Sequence, residues 1–132
     1  MKKATKKTIL LIEDDLPTID VYETAFKQAK FEIETISWGQ DAVKRVKEIQ
    51  EGKAGKPDIV LLDLILPDMN GLQVLEEIRK QEKTKNLPVF ILTNYTSQEL
   101  AKMGYDLVIE KYLTKTEYPP SQLVKVIKER LK

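Results

Sequence analysis

The sequence contains neither cysteine nor histidine, and only one tryptophan, among its 132 residues. Lack of cysteine excludes disulfides and thiolate nucleophiles. Lack of histidine excludes imidazole-based triads, and the two absences together remove structural zinc sites. Any divalent cation must therefore sit on oxygen ligands, which favours Mg²⁺, Ca²⁺ or Mn²⁺. Charge of one sign is not in excess: the net charge is +1, so electrostatics give no case for nucleic acid or a membrane as the main partner. No apolar run approaches the roughly 18 residues that a membrane span needs. The run Thr8 to Ile12 is too short for a secretory signal and leads straight into acid. A cytoplasmic location is the expectation. No glycine-rich loop ends in Gly-Lys-Ser or Gly-Lys-Thr, which removes P-loop nucleotide chemistry.

What is present suits one globular domain. Apolar residues make up 42% of the chain, and its length can bury a core without staples. Four lysines fall between positions 2 and 7, so residues 1–7 are expected to form a flexible basic N-terminus and residues 8–132 the folded domain.

Strand and helix patterns alternate along the chain. Thr8 to Ile12 reads as a buried strand, and Pro17 then opens a helix with Tyr22, Ala25, Phe26 and Ala29 on one stripe. Phe31 to Ile36 is a weaker strand with Glu32 and Glu34 outward, as at a sheet edge. Ala42, Val43, Val46 and Ile49 mark a second helix ending at Gly52. Asp58 to Leu62 is the most apolar strand, and a third helix starts near Gly71 with Val74, Leu75 and Ile78 inward. Val89 to Leu92 forms the next strand, Ser97 to Met103 a short helix, and Leu107 to Tyr112 the last strand. Ser121 is placed to cap a final helix carrying Leu123, Val124, Ile127 and Leu131 inward. Five such repeats predict an α/β fold, a parallel sheet covered on both faces, with right-handed crossovers.

In such sheets ligands bind beyond the carboxyl ends of the strands, where the strand order reverses. Glu13, Asp14, Asp63, Thr93 and Lys115 each lie at or just past such an end. Three carboxylates brought within about 5 Å repel pairwise by roughly 3 kcal/mol at an effective dielectric near 20. Lys115 can neutralise one charge, and a hard cation such as Mg²⁺ the rest. A charged Asp63 so placed can attack phosphorus and form an acyl phosphate, with Lys115 and Thr93 stabilising the equatorial oxygens. Asp15 reads better as an acidic helix N-terminus than as a site residue.

The segments Ile12-Glu13-Asp14-Asp15, Leu62-Asp63, Leu66-Pro67-Asp68-Met69-Asn70-Gly71, Leu92-Thr93 and Tyr112-Leu113-Thr114-Lys115 run in order across nearly the whole chain. In them the sequence resembles the receiver domain of two-component response regulators, in a single-domain form like the chemotaxis regulators. The resemblance implies a flavodoxin-like doubly wound (βα)₅ fold, with a five-stranded parallel sheet in the order 2-1-3-4-5. It implies Asp63 as phosphoacceptor, and Mg²⁺ held by Asp63, by Asp14 directly, by Glu13 through water and by the backbone carbonyl of Ile65. Lys115 would contact the phosphate, Thr93 would be the switch hydroxyl and Tyr112 the switch aromatic. Phosphorylation would then remodel the face made by the fourth helix, fifth strand and fifth helix. The implied partners are a histidine kinase or histidine phosphotransfer protein and a downstream protein target, with no nucleic acid or membrane contact. On this reading the chain is no enzyme beyond catalysing its own phosphorylation and dephosphorylation. Its end at Lys132 leaves no output domain, as in a stand-alone receiver or a domain cut from a longer protein.

Several positions depart from that pattern. Thr116 stands where most receivers carry a proline joined by a cis bond, so the loop is expected to be either trans and reshaped or strained. Asn94 replaces the usual small residue and crowds the entry to Asp63. Gly104 lies earlier than the usual glycine, which predicts a short or broken fourth helix. Ile65 and Tyr95 predict slow hydrolysis of an acyl phosphate. Two rivals remain: a degenerate receiver that binds partners without phosphorylation, and a haloacid-dehalogenase-type phosphatase. The second wants an acid two residues after the nucleophile, where this chain has Ile65.

Overall fold

The computed structural model describes residues 6–104, 111–115 and 117–132, with positions 97, 111 and 112 described for the backbone alone. Ten elements alternate: β1 (Thr8–Ile12), α1 (Leu16–Gln28), β2 (Glu32–Ile36), α2 (Gly39–Gln50), β3 (Ile59–Asp63), α3 (Gly71–Lys80), β4 (Val89–Thr93), α4 (Ser97–Lys102), β5 (Lys111–Thr114) and α5 (Pro120–Arg130). The strands form one sheet in the order β2-β1-β3-β4-β5, and every pair is parallel. The alternation predicted the parallel α/β sheet, and its strand order is the doubly wound, flavodoxin-like one that the resemblance implied.

The strands are apolar on both faces because both faces are covered. Leu10, Ile12, Val60, Leu62, Val89 and Ile91 pack with α2, α3 and Leu100 of α4. Their neighbours Ile9, Leu11, Ile59, Leu61, Phe90 and Leu92 point the other way, into α1 and α5. β2 has one sheet neighbour, and its Glu32 and Glu34 are exposed, as an edge strand requires. Each fully buried Leu, Ile or Phe contributes about 1.5–3 kcal/mol, which offsets the cost of polar groups gathered at the strand ends.

Helix ends follow local chemistry, with some changes from expectation. Asp15 caps α1 by accepting from the Thr18 amide at 3.1 Å, the structural role its position suggested. Asn70 caps α3 through the Leu72 amide at 2.9 Å. Thr96 and Glu99 form a reciprocal capping box at the start of the six-residue α4, whose shortness was expected, and Gly104 follows it with a φ of +92°. Ser121 does not cap α5. The helix starts two residues earlier, with Pro119 at the cap and Pro120, whose fixed φ suits the first turn, behind it. β3 begins at Ile59 rather than Asp58, whose carboxylate accepts from the Thr8 amide at 2.7 Å and ties the start of β1 to that of β3. The expected last strand lies partly at 105–110, outside the described residues; β5 itself runs through Thr114. No helix among the described residues is long and apolar enough to cross a membrane.

Gly71 opens α3 against the end of β3. A Cβ there would meet the Asp63 carbonyl oxygen at 2.4 Å and Leu64 Cα at 2.7 Å, both backbone atoms that cannot turn aside. Gly71→Ala is therefore expected to lower stability by about 3 kcal/mol, the upper end of overpacking costs, read as a reduced urea midpoint with an unchanged slope.

Candidate functional site

The order of the sheet fixes where a site can form. From β1 the chain crosses to β2 on one side and then over to β3 on the other, so a crevice opens between the carboxyl ends of β1 and β3. Backbone ladders carry past the strands to hold the next residues: Glu13 N donates to Ile36 O at 3.0 Å, and Lys115 N donates to Thr93 O at 2.7 Å. Glu13, Asp14, Asp63, Thr93 and Lys115 thus converge from four segments on one cleft of about 370 Å³, which Ile65, Asn94 and Tyr95 also line.

Lys115 organises the cleft. Its Nζ donates to Glu13 Oε1 at 2.5 Å and to Asp63 Oδ2 at 3.2 Å. Glu13 is 1% exposed and Asp63 8%, so both carboxylates have lost most of their water. Glu13 Oε2 accepts from the amides of Asp14 at 3.1 Å and Asp15 at 3.2 Å. Asp63 Oδ1 accepts from the Ile65 amide at 3.1 Å. Burial raises the pKa of Glu13; the Lys115 hydrogen bond opposes this and the charge of Asp63 adds to it. Burial also works against the Lys115 ammonium, but the bond to Glu13 and the attraction of both carboxylates outweigh it and hold its pKa above the usual lysine range.

Glu13, Asp14 and Asp63 offer carboxylate oxygens that all lie within 4.8 Å of one another. Ionised, three carboxylates against one ammonium leave two negative charges, the complement of a divalent cation. The donor set is all oxygen, as Mg²⁺ prefers. Glu13 and Asp63 each accept hydrogen bonds at both oxygens, whereas Asp14 is exposed at the mouth, so a cation entering the cleft meets Asp14 first. Thr93 is fully buried at the end of β4, and its hydroxyl accepts from the Tyr95 amide at 3.1 Å. Asn94 is exposed at the rim and does not plug the cleft. Tyr112 pairs with Ile91 through the backbone; its side chain, like Thr116, lies outside the described residues.

Sequence reasoning overlooked Asp68. Its carboxylate reaches the start of α2, accepting from the Gly39 amide at 2.7 Å and the Gln40 amide at 2.9 Å. Those two bonds, the Gln40 amide foremost, hold its pKa below the ordinary aspartate value. Asp68 stood in the quoted run Leu66-Pro67-Asp68-Met69-Asn70-Gly71, which marks a turn but does not say which amides its carboxylate reaches.

Comparison with known proteins agrees with this fold. A family model described as "Response regulator receiver domain" matches residues 9–128. Among solved structures, the phosphorylated cyanobacterial phytochrome response regulator RcpA is 30% identical, with 95% of this chain and 93% of that one covered and a TM-score of 0.78. The Mn²⁺-bound form of response regulator Rcp1 is 28% identical, covering 93% of this chain and 92% of that one, with a TM-score of 0.76. A Pseudomonas aeruginosa sensor histidine kinase receiver domain, with magnesium in its active site cleft, shares the fold at 22% identity. It covers 96% of this chain and 98% of its own, with a TM-score of 0.79.

Replacing Lys115 by Met leaves Glu13 and Asp63 buried without their ammonium, and is expected to cost about 3–5 kcal/mol in metal-free buffer. A raised lysine pKa contributes stability that is complete below about pH 10.4, the unfolded value, and is lost as pH rises through the folded value. Urea midpoints from pH 8 to 12 should show a larger alkaline loss in the native chain than in Lys115→Met.

Proposed function

The chain belongs to the response regulator receiver domain family of two-component systems, and from that premise we propose that it takes a phosphoryl group onto Asp63 from a phosphohistidine. The observation that carries this reading is the Lys115 bridge, in which one ammonium joins the buried carboxylates of Glu13 and Asp63, 102 and 52 positions away in the chain. An oxygen of Asp63 attacks phosphorus as the P–N bond to the donor imidazole breaks, and the leaving nitrogen takes up a proton. A bound Mg²⁺ would supply Lewis-acid neutralisation of the phosphoryl oxygens and of the carboxylates. Asp63, Asp14 and the Ile65 carbonyl would hold it, with Glu13 behind a water.

The chain's own residues do the rest. Lys115 shifts its hydrogen bond from Asp63 to a phosphoryl oxygen as the carboxylate becomes an acyl phosphate. The hydroxyl of Thr93 accepts from Tyr95, which leaves its own hydrogen to donate to another phosphoryl oxygen. Drawing that hydroxyl inward would open room for Tyr112 and alter the face of α4, β5 and α5, where a downstream protein would bind. No histidine is present among these 132 residues, so the phosphohistidine lies outside them, on a histidine kinase or phosphotransfer protein, and a cytoplasmic location goes with such a partner. One event per chain modifies the chain itself, and in that sense it is a switch rather than an enzyme.

A haloacid-dehalogenase-type phosphatase fits less well, since Ile65 stands where its second acid is needed and is 44% exposed over the cleft. A phosphorylation-independent receiver is disfavoured by the open rim at Asn94. Incubation with acetyl phosphate and Mg²⁺ should add one phosphoryl group by intact mass to the native chain and none to Asp63→Asn or to protein held in EDTA. An unmodified native chain would leave the phosphorylation-independent reading. Ile65 and Tyr95 line the cleft and offer attacking water no polar group from the Ile65 side chain. Loss of the phosphoryl group should accordingly be several-fold faster in Ile65→Asn and Tyr95→Glu, measured by the same mass shift over time.

A further inference from the structure

The loop between β3 and α3 carries the proposed phosphoacceptor at one end and is fastened, at its tip, to a different helix. α2 starts without a cap of its own, because Trp38 at the cap position makes no side-chain bond to the first-turn amides. Asp68 fills that role from 29 and 28 residues away, one oxygen on Gly39 N and the other on Gln40 N. The carboxylate also sits at the positive end of the helix dipole. Met69 adds a second fastening. It lies in the notch left by the missing side chain of Gly39, where a Cβ would come within 2.2 Å of Met69 Cγ and 2.7 Å of Sδ.

The neck of the same loop is closed on itself. Ile65 bridges to Asn70, Gly71 N donates to Leu64 O at 2.7 Å, and the Ile65 amide holds Asp63 Oδ1. A loop closed at its neck and clamped at its tip has little freedom to turn the peptide at Ile65. That peptide holds Asp63 through its neighbour's amide and, on the reading above, supplies a carbonyl to the cation. We propose that Asp68 is a positioning residue: by anchoring the loop to the start of α2 it holds the Ile65 carbonyl and the Asp63 carboxylate in the arrangement that binds a divalent cation. This rests on the assignment of the cation to Asp14 and Asp63. By linkage, cation binding at the cleft and the seating of α2 at Gly39 support each other.

Melting temperatures recorded against Mg²⁺ concentration separate this role from simple capping. The value in EDTA reports the cap, and the Mg²⁺-dependent rise reports affinity. Asp68→Ala is expected to weaken Mg²⁺ binding by about 5-fold or more, somewhat below the 10–100-fold typical of groups bonded directly to metal ligands. Asp68→Asn keeps one acceptor oxygen and should fall between. Gly39→Ala touches no residue of the cleft, yet should weaken binding in the same direction by unseating Met69 and Asp68. Lower melting temperatures in EDTA with an unchanged Mg²⁺ dependence in all three variants would make Asp68 a cap alone and overturn the proposal. Absence of any Mg²⁺-dependent rise in the native chain would overturn it together with the assignment of the cation site.

Discussion

A single ammonium, that of Lys115, stands between two carboxylates that the sheet has taken out of water. Glu13 and Asp63 cannot share that space as anions without it, since their mutual repulsion is about 3 kcal/mol even in a moderately polarisable interior. Nor can Lys115 satisfy both, for it brings one charge to two. The remaining negative charge, with Asp14 at the mouth, makes the cleft a place where a hard cation and then a phosphoryl group relieve a tension already present. The site is held by the core and not by its own polar contacts: fully buried Ile12, Leu62 and Leu92 lead into it and cannot be rearranged cheaply.

The same cleft is closed on one side by a loop that is unusually well tied. Gly71 lets α3 start directly against the Asp63 carbonyl, Asn70 caps that helix, and Asp68 caps the next one along. Loops that carry function are ordinarily the most variable parts of a fold. Here the loop is short of freedom because three consecutive elements, β3, α3 and α2, each hold a piece of it. A rigid frame around a reacting carboxylate suits chemistry whose main demand is charge placement.

Much of this was legible in the residues. Uninterrupted apolar strands between helical stripes announced a sheet covered on both faces, and polar residues at the ends of those strands marked the working edge. Glu13, Asp63 and Thr93 could be chosen because each ends an apolar run, Asp14 because it follows Glu13 directly, and Lys115 by its place three residues after Tyr112. Helix ends were less legible. Ser121 is the better cap by residue type, yet the choice fell to the proline pair, whose fixed φ starts the helix earlier. Asp58 counted as strand by its neighbours; it lies just before β3, its amide still donating to the Thr8 carbonyl while its side chain clamps Thr8 on β1.

By itself, the order of residue types determined the α/β class, the absence of thiol and imidazole chemistry, and the set of oxygen and ammonium groups available to a cation. Those are properties of composition and spacing, and they hold whatever the chain does in space. Only the tertiary structure decided that Lys115 bonds to Glu13 as well as Asp63, and that Asp68 belongs to α2 rather than to its own turn. Such pairings join residues tens of positions apart, and local preference is blind to them: they are set by how helices seat on a twisted sheet, after the strands have chosen their order.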